Sequence, residues 1–207
     1  MDQLISQYIE KSKALLFDLD GTLADSMPIH NKAWIQTLAQ YNCKMTDQIL
    51  QKYAGVPNAK TVEIFNQQFG WSLVPEKIAF EKEEAVKTLL HEVQPIWPVK
   101  KIVEDFHQKI PMTIVSGGSL DLVEFILGKL QMTHFFDHLI TAESTPRGKP
   151  APDPFLKASE LVGVPAQSCL VFEDGEAGIQ GARAAGMKVV RVMPDFSLSV
   201  ETEFNQI

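Results

Sequence analysis

Short apolar segments recur along the chain, and each ends at a polar residue, a glycine or a proline. They cover residues 14–17, 112–115, 138–141, 169–172 and 189–192. Continuous apolar runs of this length are typical of strands that are buried on both faces of a parallel sheet. Between the later segments lie helical patterns, over about residues 99–109, 119–130, 153–163 and 176–186. This alternation indicates βαβ units and predicts an α/β fold with a parallel sheet.

The stretch after the first apolar segment has no buried-strand run and shows four helical patterns instead. Ser26, Thr46 and Asn58 are placed to cap the first three helices, and Pro75 opens the fourth. Four helices joined by short loops form a small bundle. We therefore expect an α/β core interrupted by a helical cap, the core comprising residues 1–24 and 93–207 and the cap residues 25–92.

The composition limits the partners of the chain. Its 207 residues contain 19 Lys and Arg against 26 Asp and Glu, a net charge of −7, which argues against a nucleic-acid-binding protein. No stretch approaches the length of a membrane span, and the first residues lack the apolar run of a signal peptide. Cys43 and Cys169 fit neither a disulfide framework nor a zinc site. We expect a cytoplasmic monomer that acts on a small molecule.

Polar residues follow the predicted strands at the points where the strands end. Asp18 follows the first strand, Ser116 the second, and Glu173 with Asp174 the fourth, while Lys149 comes a few residues after the third. In an open parallel sheet, ligands bind outside the carboxyl ends of the strands, at the switch point of the winding. These groups are therefore expected to converge on one crevice.

Each of these residues also has an ordinary explanation when it is taken alone. Asp18 could cap a turn, Gly117 and Gly118 could mark a loop, and Lys149 could be a solvated charge. Converging carboxylates, however, repel one another by roughly a few kcal/mol, which a fold tolerates when a cation is present. Oxygen ligands without His or Cys favour Mg²⁺. The candidate metal ligands are Asp18, Asp20, Glu173 and Asp174.

A carboxylate at this position can form an aspartyl phosphate. Asp18 is the candidate nucleophile. Asp20 lies two residues on, so in an extended segment both side chains point the same way. Asp20 can then protonate the leaving oxygen and later deprotonate the attacking water. The first of these steps predicts that the pKa of Asp20 is raised.

The remaining residues at the strand ends suit the oxygens of a phosphate group. The Ser116 hydroxyl and the backbone N–H groups of Gly117 and Gly118 can donate to these oxygens. Lys149 supplies a positive charge to the same group. The predicted catalytic set is therefore Asp18, Asp20, Ser116 and Lys149.

Four segments together resemble the four motifs of the haloacid dehalogenase superfamily of phosphotransferases. They are residues 17–23, 115–118, 148–155 and 172–179, the last continued by residues 184–187. The resemblance implies a Rossmann-like core, dependence on Mg²⁺, Asp18 as nucleophile and Asp20 as acid and base. An aspartate at position 20 fits the phosphatases and mutases of the superfamily, whereas its dehalogenases lack that acid.

The position of the cap resembles that of the β-phosphoglucomutase-like subfamily. Residues 30–34 resemble the start of that cap, where His30 would contact the acid/base aspartate. Residues 81–86 resemble the short bacterial fructose-1-phosphate phosphatases of this group, which makes Lys82 a candidate substrate-binding residue together with His30. Mutases carry an arginine where this chain has Asn58. Lys60 could replace that arginine only with a different geometry.

The favoured prediction is a Mg²⁺-dependent phosphatase that hydrolyses a small phosphorylated metabolite, a sugar phosphate, through an aspartyl-phosphate intermediate. A second enzyme hypothesis is a β-phosphoglucomutase-type enzyme, which would convert β-glucose 1-phosphate to glucose 6-phosphate without releasing phosphate. Two non-enzyme hypotheses are a phosphorylatable signalling receiver and a binding protein, and steady turnover of p-nitrophenyl phosphate would count against both.

Overall fold

The computed structural model describes residues 2–53, 56–90 and 93–201. Residue 92, the predicted end of the cap, lies outside these ranges, as does residue 1. Within the described ranges, no helix is both long enough and apolar enough to cross a membrane.

A six-stranded sheet forms the centre of the molecule, in the order β3-β2-β1-β4-β5-β6. The strands are β1 Ala14–Phe17, β2 Met112–Val115, β3 His138–Ile140, β4 Cys169–Glu173, β5 Lys188–Val192 and β6 Leu198–Val200. The first five pair in parallel, as the apolar runs predicted, and β6 pairs antiparallel with β5. Strand β6 was not expected from the sequence, because its three residues are not a buried apolar run.

Helices cover both faces of the sheet. They are α1 Gln3–Glu10, α6 Trp97–Phe106, α7 Leu120–Leu130, α8 Asp153–Leu161 and α9 Glu176–Ala184. Alternate residues of β1 enter different apolar clusters: Leu15 and Phe17 pack on the side of α1, α6 and α7, and Ala14 and Leu16 on the side of α8 and α9. This three-layer arrangement confirms the α/β fold with a Rossmann-like sheet.

Between β1 and α6 lie the helices of the predicted cap. They are α2 Met27–Ala39, α3 Asp47–Leu50, which continues as a 3₁₀ turn over Gln51–Tyr53, α4 Asn58–Phe69 and α5 Pro75–Leu89. Their apolar faces form a cluster around Trp34, Phe65 and Ile78. The Trp34 and Phe65 rings meet edge to face, with centroids 5.6 Å apart.

The residue expected at the N-cap position of α4 was wrong by one. Pro57 holds the N-cap position, and Asn58 is the first residue of the helix. The Asn58 side chain is therefore free of capping and bonds with α5 instead. Ser26 and Thr46 do hold the N-cap positions of α2 and α3, although neither side chain makes a capping hydrogen bond.

Candidate active site

The register of the central strands sets the position of the acidic residues. Phe17 of β1 pairs with Phe172 of β4, and their rings stack with centroids 4.9 Å apart. The next residue, Asp18, donates its backbone N–H to the Phe172 carbonyl at 3.0 Å. Glu173 and Asp174 follow Phe172 directly, so the strand register brings three carboxylates to the same edge of the sheet.

Lys149 lies at the centre of this acidic edge. Its Nζ donates to Asp18 Oδ1 at 2.6 Å and to Glu173 Oε2 at 2.7 Å, and the side chain is buried. Burial by itself lowers the pKa of Lys149, but the charges of Asp18 and Glu173 raise it above its usual value. The ammonium group is therefore charged, and its two ion pairs offset the cost of burying it.

The carboxylates of Asp18, Glu173 and Asp174 offer oxygens that all lie within 4.8 Å of one another. Burial, together with the Asp18 charge, raises the pKa of Glu173 to about 8 and that of Asp174 to about 7. Burial also raises the pKa of Asp18, as does the charge of Asp20, although Lys149 opposes both. Three carboxyl groups beside a single ammonium group are costly to ionise together, and an all-oxygen set of this kind fits a hard divalent cation, which would favour their ionised forms.

Two glycines allow these carboxylates to approach the backbone. Gly21 has φ +84°, and a Cβ there would collide with the Asp174 carboxylate. A Cβ on Gly178 would collide with the Glu173 carboxylate. Thr22, the residue after Gly21, donates its hydroxyl to Asp174 Oδ1 at 3.2 Å. Thr22 was not among the site residues expected from the sequence, although it lies inside the first of the four segments.

Asp20, which the sequence also made a candidate metal ligand, lies outside the group of carboxylates that could share a cation and faces the cap instead. Ser26 Oγ donates to Asp20 Oδ1 at 2.5 Å, and His30 Nε2 is 2.9 Å from the same oxygen. Burial alone would raise the pKa of Asp20, but His30, Ser26 and the more distant Lys82 together lower it to about 2. The expectation of a raised pKa was therefore wrong for this arrangement, because the donors that the fold brings to Asp20 outweigh its burial.

His30 and Lys82 form the cap side of the same cleft. Lys82 Nζ lies 2.5 Å from His30 Nδ1 and 5.5 Å from the centroid of the Trp34 ring. An ammonium group can only donate, so Nδ1 of His30 accepts and its Nε2 carries the hydrogen that bonds Asp20. Burial lowers the pKa of Lys82 to about 8, although the charges of Asp20 and Glu83 oppose this shift.

The loop after β2 forms the floor of the cleft, which Ser116, Gly117 and Gly118 line together with Asp18. Ser116 is buried, and its Oγ accepts the backbone N–H of Gly118 at 3.0 Å. The structure therefore brings together the predicted phosphate-binding groups. It gives the Gly118 N–H a partner within the loop.

Asn58 joins the cap side of the site through both ends of its amide. Its Oδ1 accepts from Lys82 Nζ at 3.3 Å, and its Nδ2 donates to Glu83 Oε1 at 2.7 Å. Lys60 is not part of the cleft and instead pairs with Glu63 on the surface of α4, at 2.6 Å. Glu83 lies in the segment 81–86 that resembles the fructose-1-phosphate phosphatases, but no role of its own was expected from the sequence, because a glutamate in a charged helix is ordinarily solvated.

Two phosphatases of known function are similar to this chain in sequence. The chain is 37% identical over 184 residues to fructose-1-phosphate phosphatase YqaB of Escherichia coli, covering 88% of this chain and 97% of that protein. It is 31% identical over 179 residues to validoxylamine A 7'-phosphate phosphatase of Streptomyces hygroscopicus subsp. limoneus, covering 84% of this chain and 83% of that protein.

A solved structure shares the fold. The crystal structure of a hydrolase from Pseudomonas syringae superposes with a TM-score of 0.81 at 24% identity, over 86% of this chain and 84% of that one. The family model described as haloacid dehalogenase-like hydrolase matches residues 15–192. The chain therefore belongs to the haloacid dehalogenase-like hydrolase family.

Proposed function

We propose that this chain is a Mg²⁺-dependent phosphatase that hydrolyses a small sugar phosphate through an aspartyl phosphate on Asp18. The observation that carries the proposal is the Asp18 carboxylate itself. It is buried at the floor of the cleft, ion-paired with Lys149 at 2.6 Å, and flanked by the acidic pair at the end of β4. Family membership supports a hydrolase that acts on phosphoric monoesters.

The proposed metal ligands are Asp18, Glu173 and Asp174. Their fit to a cation rests on the oxygen-only donor set and on the raised pKa values that the residues have without one. When bound, Mg²⁺ would offset the charge of the carboxylates and of the phosphate oxygens. Lys149 would add a second positive charge next to the nucleophile.

The residues then have distinct proposed roles. An Asp18 carboxylate oxygen attacks phosphorus, and the bond between phosphorus and the ester oxygen breaks. Asp20 gives a proton to that oxygen and later removes one from the water that hydrolyses the aspartyl phosphate, so its proton is returned. An approaching phosphate dianion favours the protonated form of Asp20, which the first step requires, whereas its ionised form suits the second.

Substrate selection is proposed to lie on the cap side. Asn58, His30 and Lys82 line the cleft opposite the phosphate-binding loop. They offer hydrogen-bonding groups of the kind that bind sugar hydroxyls, and the relative YqaB is named for fructose 1-phosphate. Residues 25–92 are proposed to act as a cap that opens to admit substrate and closes to exclude water.

The proposal also covers partners. Action as a monomer stays a prediction. The net charge of −7 supports a small-molecule substrate rather than a nucleic acid.

The test is phosphate release from p-nitrophenyl phosphate and from a panel of sugar phosphates. We expect turnover with Mg²⁺, loss of turnover with EDTA, and recovery when excess Mg²⁺ is restored. Absence of phosphate release from every substrate would contradict the proposed function. Conversion of β-glucose 1-phosphate to glucose 6-phosphate without phosphate release would instead identify a mutase.

A further inference from the structure

Glu83 of α5 connects the cap to the core at a point next to the cleft. Its Oε2 accepts the Ser119 hydroxyl at 2.5 Å, and its Oε1 accepts the Asn58 amide at 2.7 Å. Asn58 belongs to the cap and lines the cleft, whereas Ser119 follows the phosphate-binding loop of the core. The Glu83 carboxylate thus lies between a cleft-lining residue and the residue after Gly118.

The start of α7 favours a negative charge at this point. Ser119 holds the N-cap position of this 11-residue helix, yet its hydroxyl makes no capping bond. That hydroxyl donates to Glu83 instead. A carboxylate near the N-terminus of a helix is stabilised by the backbone dipoles. Glu83 therefore places a negative charge at the start of the helix that follows the phosphate-binding loop.

Glu83 also offsets the positive charge on the cap side of the cleft. Lys82 is its neighbour on α5, and although burial lowers the pKa of Lys82, the charges of Asp20 and Glu83 act in the opposite direction and favour the ammonium form. Asn58 joins the two, because its amide donates to Glu83 and accepts from Lys82. Without the Glu83 charge, the Lys82 ammonium would attract a second anionic group of a substrate.

We propose that Glu83 is a specificity-determining residue that disfavours substrates with a second phosphate, so that the enzyme prefers monophosphates whose remaining polar groups are hydroxyls. The inference rests on the proposed phosphatase function and names its substrate class more narrowly. Glu83 acts through charge and through the orientation of Asn58, and it takes no part in the transfer of the phosphoryl group.

The experiment compares fructose 1-phosphate with fructose 1,6-bisphosphate, which differ by one phosphate. The measured quantity is the ratio of kcat/KM for the monophosphate to kcat/KM for the bisphosphate. Glu83→Gln keeps the size of the side chain and removes its charge. We expect this variant to lower the ratio on the order of tenfold, mainly through a lower KM for the bisphosphate.

Glu84→Gln is the matched control, because Glu84 is the adjacent acidic residue and pairs only on the surface, with Lys87 at 2.8 Å. We expect this variant to keep the wild-type ratio. Ser119→Ala keeps the Glu83 charge but removes the hydroxyl that holds it at α7, and we expect a smaller fall in the ratio. If Glu83→Gln does not fold, the ratio measured for Ser119→Ala tests the inference instead.

The inference is overturned if Glu83→Gln lowers kcat/KM equally for both substrates, which a merely structural role would produce. It is also overturned if Glu84→Gln changes the ratio as much as Glu83→Gln, or if Ser119→Ala leaves the ratio unchanged. Turnover of p-nitrophenyl phosphate by the wild type separates the two failures. If it is absent, the proposed function itself has failed, and if it is present with an unchanged ratio, only the role of Glu83 has failed.

Discussion

The two sides of the cleft carry charge in opposite ways. At the sheet edge, the buried carboxylates of Asp18 and Glu173 bind Lys149, Asp174 lies beside them, and the pKa values of Glu173 and Asp174 are raised. On the cap side, Lys82 bonds to His30 and Asn58, and burial lowers its pKa although the charges of Asp20 and Glu83 oppose this shift. The sheet edge therefore has one ammonium group for three carboxyl groups and suits a cation together with a phosphate. The cap side suits the uncharged part of a substrate.

The largest expected effect comes from the sheet edge. Asp18→Asn keeps the shape of the side chain and removes the proposed nucleophile, so phosphate release is expected to fall by at least about a thousandfold. The measurement is kcat for p-nitrophenyl phosphate with Mg²⁺, with circular dichroism to check the fold. Activity within tenfold of the wild type would rule out the nucleophilic role and remove the main distinction between the two sides.

Asp20 lies between the two sides, and its replacement tests whether it transfers a proton to the leaving oxygen or only positions other groups. Asp20→Asn is expected to lower kcat/KM for fructose 1-phosphate about a hundredfold, because the sugar oxygen needs a proton to leave. The loss for p-nitrophenyl phosphate is expected to be smaller in the bond-breaking step, since p-nitrophenolate leaves without one. Burst and steady-state kinetics separate this step from hydrolysis of the intermediate. Equal losses in bond breaking for both substrates would assign Asp20 to positioning alone.

The cap side is tested through Lys82. Lys82→Met is expected to lower kcat/KM for fructose 1-phosphate about tenfold by removing a charged hydrogen-bond donor. The pKa of Lys82 is about 8, so the ammonium is charged below that pH and neutral above it. The wild-type kcat/KM should therefore decline as the pH rises through about 8, and the variant should lack this decline.

Lys77→Met is the control for this experiment. Lys77 lies on the same helix, with 59% of its side chain exposed, and pairs with Glu81 at 3.8 Å. It should keep both the activity and the pH profile of the wild type. A Lys82→Met profile that matches the wild type would show that the ammonium does not act on the substrate.

The smallest expected effect is on stability. Folding raises the pKa of Glu173 to about 8 and that of Asp174 to about 7, so the folded state retains protons that the unfolded chain releases. This contribution to stability is complete below about pH 4 and is lost as the pH rises to about 8. The metal-free protein should therefore lose stability from these groups over that range.

Mg²⁺ should reverse this loss, because it binds the ionised carboxylates. In thermal melts, the increase in Tm with Mg²⁺ is expected to be about 5 °C near pH 8 and smaller near pH 5.5. Asp174→Asn should reduce the increase. An increase in Tm that is the same at both pH values would contradict the assignment of these carboxylates to the metal.

The sheet edge could be predicted from the sequence because its residues follow strands that are themselves easy to identify. An apolar run of four residues places Asp18 at a strand end, and parallel pairing then places Glu173 beside it. The same reasoning was enough to expect Lys149 and Ser116 near the same point. Residues at the carboxyl ends of parallel strands meet at one edge of the sheet, so identifying the strands is enough to predict which of their end residues lie together.

The contacts of the cap side could not be predicted in the same way. Glu83 and Ser119 are 36 residues apart, and nothing in either local pattern indicates that they meet. Their contact depends on how α5 packs against the start of α7, which is a tertiary property. The lowered pKa of Asp20 has the same origin, since it requires His30 and Ser26 to turn towards one oxygen. The local sequence pattern predicted the helices, but it did not predict which residues their side chains contact in the folded structure.

The reacting groups are attached to β1, β2 and β4, which lie side by side in the buried centre of the sheet. A substitution that moves these strands also disturbs the core, because β1, β2 and β4 are buried along their whole length. The helices between β1 and α6 carry their own apolar cluster and can exchange polar side chains more freely. New substrates can therefore arise in descendants of such a chain while the chemistry is inherited unchanged.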